Sequence, residues 1–236
     1  MGGQVPDVEL FSSNLCPFSH RVRLALTEKG IDFWYTEIDL ADKPEWFLVI
    51  SPLGEVPVIR HEDHFVADST AILEYLEDVY PTPCLRPTDP AKRATARFWI
   101  EYADERLAPA IDRCLRAELA EEQTASAAEL RDLLVFIERE GLARCGRGPY
   151  WMGTELSIVD LVFYPFFERL PAIQQHRPVS LPLMSIRLRY WLDAMRGRES
   201  VKATQNPVEC YARAFSGHAA AAPHRRRADN VEYLHA

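Results

Sequence analysis

Apolar and polar positions alternate in short blocks over the first eighty residues and settle into long helical periods after residue 90. Val8 to Phe11 reads as a short apolar strand. After a Ser/Asn turn, a run from Pro17 to Lys29 sets Phe18, Val22, Ala25 and Leu26 on one face of a predicted helix, and Gly30 supplies its stop. Phe33 to Leu40, rich in aromatic and β-branched residues, predicts a second strand, and a helix between two strands implies that they run parallel. Ser51-Pro52-Leu53-Gly54 is turn chemistry. Val56 to Arg60 and His64 to Ala67 flank Glu62-Asp63 as an antiparallel hairpin, and Ile72, Leu76 and Val79 follow at helical spacing.

Four prolines, Pro81, Pro83, Pro87 and Pro90, then interrupt any helix and mark a linker. Beyond it, Ala91 to Ala117, Ala127 to Gly141, Ile158 to Leu170 and Ile186 to Met195 all carry helical periodicity with few strand signals. Ser157 and Asp160 form a capping pair at the start of the most apolar of these helices, and Pro165 predicts a kink within it. The expected architecture is therefore α/β followed by all-α. A thioredoxin-like unit (βαβ-ββα) occupies 1–80, a proline-rich linker 81–90, a helical bundle 91–215 and a tail 216–236. The tail carries Arg225-Arg226-Arg227, read as a solvated end or a basic contact element.

Composition narrows the function classes. With 236 residues, 47% hydrophobic and 26% charged, the chain has ample material for a core. Its net charge of −8 gives no bulk attraction to nucleic acid or anionic membrane. That deficit belongs to the first unit, where residues 1–83 hold 5 Lys/Arg against 15 Asp/Glu. An anionic ligand there needs local positive groups. No run approaches the ~18 apolar residues of a membrane helix, and no secretory leader is recognisable. Five widely spaced cysteines, Cys16, Cys84, Cys114, Cys145 and Cys210, suggest neither a disulfide framework nor a zinc site, so no metal is expected and a reducing, cytoplasmic compartment fits best.

Cys16-Pro17-Phe18-Ser19 falls at the junction of the first strand and first helix, beside unpaired amide N–H groups and the positive helix end. That placement favours the thiolate, the nucleophilic form of cysteine, and Arg21 adds positive potential; the alternative is a small buried core cysteine. Ser19 stands where a dithiol motif has its second cysteine, so a disulfide formed at Cys16 requires an external thiol for release. Pro57, after a glycine turn, suits a cis bond that turns the Val56 backbone toward an extended ligand, or an ordinary trans proline. Asp68-Ser69-Thr70 opens a helix, which makes it a carboxylate site or simply a cap. Lys43 is a solvated loop lysine or an anion binder.

Taken together, Cys-Pro-Phe-Ser-His-Arg-Val-Arg, the Asp-Lys-Pro-Glu-Trp-Phe loop, Ser-Pro-Leu-Gly-Glu-Val-Pro-Val and the Asp-Ser pair before a helix resemble the cytosolic glutathione transferase superfamily, and within it the cysteine-type, omega-like members. The resemblance spans residues 7 to about 208. It implies a thiol transferase or reductase, of the dehydroascorbate reductase type, with glutathione as cosubstrate. Cys16 takes the role of catalytic cysteine, with Lys43 at the glycine carboxylate, Val56 before cis Pro57 on the cysteinyl backbone, and Ser69 on the γ-glutamyl carboxylate. Asp68 stands where omega-like members usually carry Glu. The acceptor, a small electrophile, an oxidised compound or a glutathionyl disulfide, is placed between the domains, against Phe18, Phe98, Trp99, Tyr102 and Arg106; these side chains read equally well as core. A homodimer follows by analogy. Two further readings share the fold: a stringent-starvation-type regulator that binds RNA polymerase, and a glutathione-dependent dehalogenase or ether-cleaving enzyme.

Overall fold

The structure, a computed structural model, describes residues 6–218. A four-stranded sheet is built from β1 (Val8–Ser12), β2 (Phe33–Glu37), β3 (Val58–His61) and β4 (His64–Ala67) in the order β2-β1-β3-β4. β1 and β2 run parallel, with Leu10 opposite Tyr35, while β1–β3 and β3–β4 are antiparallel, with Leu10 opposite Ile59 and Ile59 opposite Val66. Helices α1 (Pro17–Glu28), α2 (Glu45–Ile50) and α3 (Ser69–Val79) complete this unit. The thioredoxin-like arrangement is thus present, followed by a helical domain as the periodicity predicts.

Several limits shift for identifiable reasons. β2 stops at Glu37 rather than Leu40, because Ile38 turns in, fully buried, and its N–H returns to Ser12 O at 2.7 Å. α2 forms where the sequence suggested only a loop; Pro44 fixes its entry, and the single buried Phe47 holds it down. Glu62, at the hairpin tip, takes the left-handed conformation with φ 53°.

The helical domain comprises α4 (Pro90–Tyr102), α5 (Ala108–Arg116), α6 (Ala120–Phe136), the short α7 (Ala143–Cys145), α8 (Ile158–His176), α9 (Ile186–Arg196), α10 (Glu199–Thr204) and α11 (Val208–His218). The run predicted as one helix from Ala91 to Ala117 is divided by a π turn at Ala103–Leu107, and a second π turn, Ile137–Leu142, extends α6. The Arg225-Arg226-Arg227 triplet lies outside the described residues.

α8 is the axis of the molecule. Fourteen of its residues are buried, and it packs on α1 of the first unit and on α11. One continuous apolar cluster joins Val8, Leu10, Val22 and Leu26 of the sheet unit to Trp99, Phe163, Trp191 and Met195 of the helical domain. Two buried acidic groups organise it. Asp160 accepts from Trp151 N, Trp191 Nε1, Ser157 N and Ser157 Oγ, all within 2.8 Å. Glu77 in α3 pairs with Lys29 Nζ at 2.6 Å and accepts from the amides of Leu85 and Arg86, while Lys29 also donates to the carbonyls of Tyr80 and Pro83. The chain between α3 and α4 is thereby sewn to α1.

Candidate active site

Cys16 is the N-cap of α1, with extended backbone and Pro17 at the first helical position, where the missing N–H costs nothing. Its amide donates to Ser13 O at 3.0 Å, and its carbonyl accepts from His20 N at 3.1 Å, which closes the first turn. The half-buried sulfur packs against a small cluster of Phe11, Ile38, Phe47, Val56 and Val58. It lies 3.9 Å from Val56 O, just ahead of the cis Val56–Pro57 bond. The other cysteines are free thiols set apart from this pocket. Burial pushes Cys114 and Cys145 up, and the Cys145 sulfur accepts from Trp99 Nε1. Ser19 is fully buried, and its Oγ accepts from Ser13 N at 3.4 Å, so the residue in the resolving position serves the loop that carries Cys16.

The turn before Pro57 requires Gly54. Its φ is +65°, and an added Cβ would meet Lys43 Nζ and Leu48 Cδ2 at 3.2 Å. This close approach places the half-buried Lys43 ammonium over the loop leading into Val56.

On the other flank, Asp68 has φ 73°, a strained conformation for a residue with a side chain. Its Oδ1 accepts from Thr70 N at 2.9 Å and Ala71 N at 3.0 Å, so the capping reading is what its carboxylate does here. Ser69 is buried, and its Oγ accepts from Arg21 Nη1 at 3.2 Å. Arg21 also meets Asp104 Oδ1 at 2.7 Å and Val162 O at 3.1 Å, with its guanidinium between the Phe18 and Phe166 rings. Burial pulls the Arg21 pKa below its ordinary value, and Asp104 offsets part of that. Thr70 Oγ1 closes the cluster onto Asp104 Oδ2.

The residues placed by sequence on the acceptor wall divide into two groups. Phe18 packs edge-on against Phe166 at 5.8 Å, next to Arg21. Trp99 faces inward at 3% exposure, against Trp151 and Phe136, and Gly141 is tight enough that a Cβ would strike Trp151. Tyr102 stacks on Phe136 at 5.3 Å, half-buried, while Phe98 and Arg106 are exposed. Trp99 is accordingly a core residue.

Sequence reasoning missed Asn14, in the loop before Cys16, and Asp104, Arg169 and Asn206, which meet the site across the domain boundary. The available signal was charge within apolar helix: Arg21 and Arg23 in α1, and Glu168-Arg169 in α8, are long polar side chains on faces that must be buried. His20 belongs to the same layer. Its Nε2 lies 3.0 Å from Thr204 Oγ1, and burial, with Arg169 and Arg23 nearby, holds its pKa well below 6.5. The folded state therefore refuses a proton that the unfolded state accepts, and stability is lost as pH falls through about 6.5, by at most ~1.4 kcal/mol per pH unit. Asp160 and Glu168, both raised by burial, work in the opposite sense. A His20→Gln chain should show a smaller loss of urea midpoint from pH 7.5 to 5.5 than the parent; equal losses would exclude His20 as the cause.

Comparison with known proteins agrees with this geometry. Residues 10–84 match the glutathione S-transferase N-terminal domain family. The chain is 31% identical over 204 residues to glutathione S-transferase omega-1 of Sus scrofa, covering 85% of this chain and 82% of that one. Among solved structures, glutathione transferase Omega 3C from Trametes versicolor superposes with a TM-score of 0.80 at 30% identity over 91% of each chain. Rice GST1 in complex with glutathione superposes at 0.81 with 28% identity, covering 91% of this chain and 96% of that one. Neither the polymerase-regulator nor the ether-cleaving reading is favoured by these relatives. A cysteine-capped first helix, a thioredoxin-like sheet and relatives that match along most of both chains leave one assignment: the chain belongs to the cytosolic glutathione transferase superfamily, as an omega-like member.

Proposed function

We propose that this omega-like glutathione transferase works as a thiol transferase and reductase through a mixed disulfide at Cys16. The observation that carries this reading is the Cys16 sulfur, held at the N-terminus of α1 and 3.9 Å from the carbonyl that precedes a cis proline, with no second cysteine at position 19. The thiolate attacks the glutathione sulfur of a glutathionyl disulfide. The Cys16–glutathione S–S bond forms, the original S–S bond breaks, and the released thiolate takes a proton from solvent. A second glutathione thiolate then attacks the adduct, leaving glutathione disulfide and Cys16 restored.

In this reading the tripeptide lies along the strip from Lys43 through Val56 and Pro57 to Ser69. Lys43 meets the glycine carboxylate, the Val56 backbone pairs with the cysteinyl unit, and Ser69 takes the γ-glutamyl carboxylate. Asp68, whose Oδ1 accepts from Thr70 N and Ala71 N, fixes Ser69 at the γ-glutamyl end. Support comes from the side chains themselves: Lys43 stands over the Gly54 turn, and Ser69 is linked to the buried Arg21. Such local groups are needed, because the surrounding unit is strongly acidic and repels the anionic tripeptide at long range. No helix among the described residues is long and apolar enough to cross a membrane; the chemistry calls for a reducing compartment such as the cytoplasm.

The test is intact mass spectrometry after exposure to glutathione disulfide. The parent chain should gain one glutathione, reversed by added glutathione, and Cys16→Ser should gain none. An adduct that persists in the variant at the same stoichiometry would refute the assignment.

A further inference from the structure

The loop that delivers Cys16 is held from the far side of the domain boundary, by groups that make no part of the glutathione strip. Asn14 and Leu15 immediately precede the nucleophile, and both of their carbonyls are taken by side chains of the helical domain. Asn206, between α10 and α11, donates from Nδ2 to Asn14 O at 3.1 Å, and its Oδ1 accepts from Asn14 Nδ2 at 2.8 Å. Arg169 in α8 donates from Nε and Nη2 to Leu15 O, at 3.2 and 3.0 Å. Both grips are themselves fixed. Asn206 Nδ2 also reaches Tyr211 OH at 3.0 Å, and that phenol donates to Glu168 Oε1 at 2.6 Å. The Arg169 guanidinium lies 4.4 Å over the Tyr211 ring and donates to Pro165 O. From the sheet unit, Arg23 Nη2 donates to Asn14 O at 2.9 Å, and Asn14 N donates to Glu37.

We infer that Asn206 and Arg169 are positioning residues for Cys16: by holding two consecutive carbonyls of its loop, the helical domain keeps the sulfur at the amide end of α1. A cysteine N-cap makes no side-chain cap bond of its own, so the loop's direction depends on what grips the residues before it. A loop freed at those carbonyls samples orientations in which the sulfur leaves the amide end of α1 and its place beside Val56 O. Arg169, nearly fully buried, also brings its charge within electrostatic reach of Cys16. The inference rests on Cys16 being the reactive thiol, but its test reads that thiol directly and needs no glutathione.

The experiment compares the rate of Cys16 alkylation by iodoacetamide near neutral pH with that of the exposed Cys84 in the same chain, by peptide mass spectrometry. Asn206 is only half-buried, so Asn206→Ala should fold. We expect it to slow Cys16 about fivefold, the consequence of losing roughly one hydrogen bond of placement, with Cys84 unchanged. Arg169→Lys, which keeps the charge and one donor, should fall between the parent and Arg169→Met; if Arg169→Met does not fold, Asn206→Ala decides alone. A Cys16 rate in folded Asn206→Ala equal to the parent's overturns the inference. So does a uniform change of Cys16 and Cys84, which marks general loosening. If instead Cys16→Ser still takes up glutathione while Asn206→Ala slows Cys16, the catalytic reading fails and the positioning stands.

Discussion

An Asp160→Ala chain is expected to be the least stable single variant of this protein, by on the order of 4–5 kcal/mol or more. The carboxylate is fully buried and accepts four hydrogen bonds. Removing it strands Trp151 N, Trp191 Nε1, Ser157 N and Ser157 Oγ without an acceptor, and each buried unsatisfied donor costs about 1–3 kcal/mol. The damage is also topological. Asp160 ties the entry of α8 to the loop before it and to α9, and α8 carries the packing on which both domains depend. Asp160→Asn, which keeps one acceptor oxygen but brings two donors among donors, should fall between the two. Urea unfolding followed by tryptophan fluorescence suits the measurement, because Trp151 and Trp191 flank the carboxylate. A loss below ~1 kcal/mol for Asp160→Ala would show that the loop and α9 re-pair without it.

Glu77→Ala should cost about 3–5 kcal/mol, because it leaves the Lys29 ammonium buried without its counter-ion. Lys29 and Glu77 side chains are 1% and 2% exposed, so solvent screening does not soften the loss. At about 2–4 °C per kcal/mol for a chain of this size, the thermal midpoint should fall by roughly 10 °C. The substitution also releases the amides of Leu85 and Arg86, which the carboxylate holds, and so loosens the chain entering α4. Lys29→Met with Glu77→Leu, made together, should recover much of the loss, since an apolar pair replaces a buried ion pair at little cost. A double variant as unstable as Glu77→Ala would locate the effect in the amides rather than in the stranded charge. Calorimetry of the three chains separates the cases.

Legibility differed between the two halves of the site. Cys16, Pro57 and Ser69 were legible as candidates because the pattern that singles them out lies in consecutive residues: a strand end, a proline after a glycine turn, a polar pair before an apolar helix. The cis Val56–Pro57 bond follows that pattern. Asp68 illustrates a limit, since the same local pattern suited a ligand site and a cap, and only the folded chain shows its Oδ1 capping α3. Trp99 illustrates another. It lies one residue from the exposed Phe98 in the same helix, and helical spacing alone does not say which of the two faces Trp151.

The linear order of residues determined by itself the strands and most of the helices of the first unit, the proline break before α4, the acidic balance of that unit and the place of Cys16 at a strand–helix junction, because each depends on neighbours a few positions away. Tertiary structure alone decided which charges are buried and whom they meet. Arg21 meets Asp104 across 83 positions, Arg169 meets Leu15 across 154, and Asn206 meets Asn14 across 192. No periodicity encodes such pairs. They arise because α1 and α8 must bury their apolar faces against each other, and the polar side chains carried into that contact meet partners brought from distant parts of the chain.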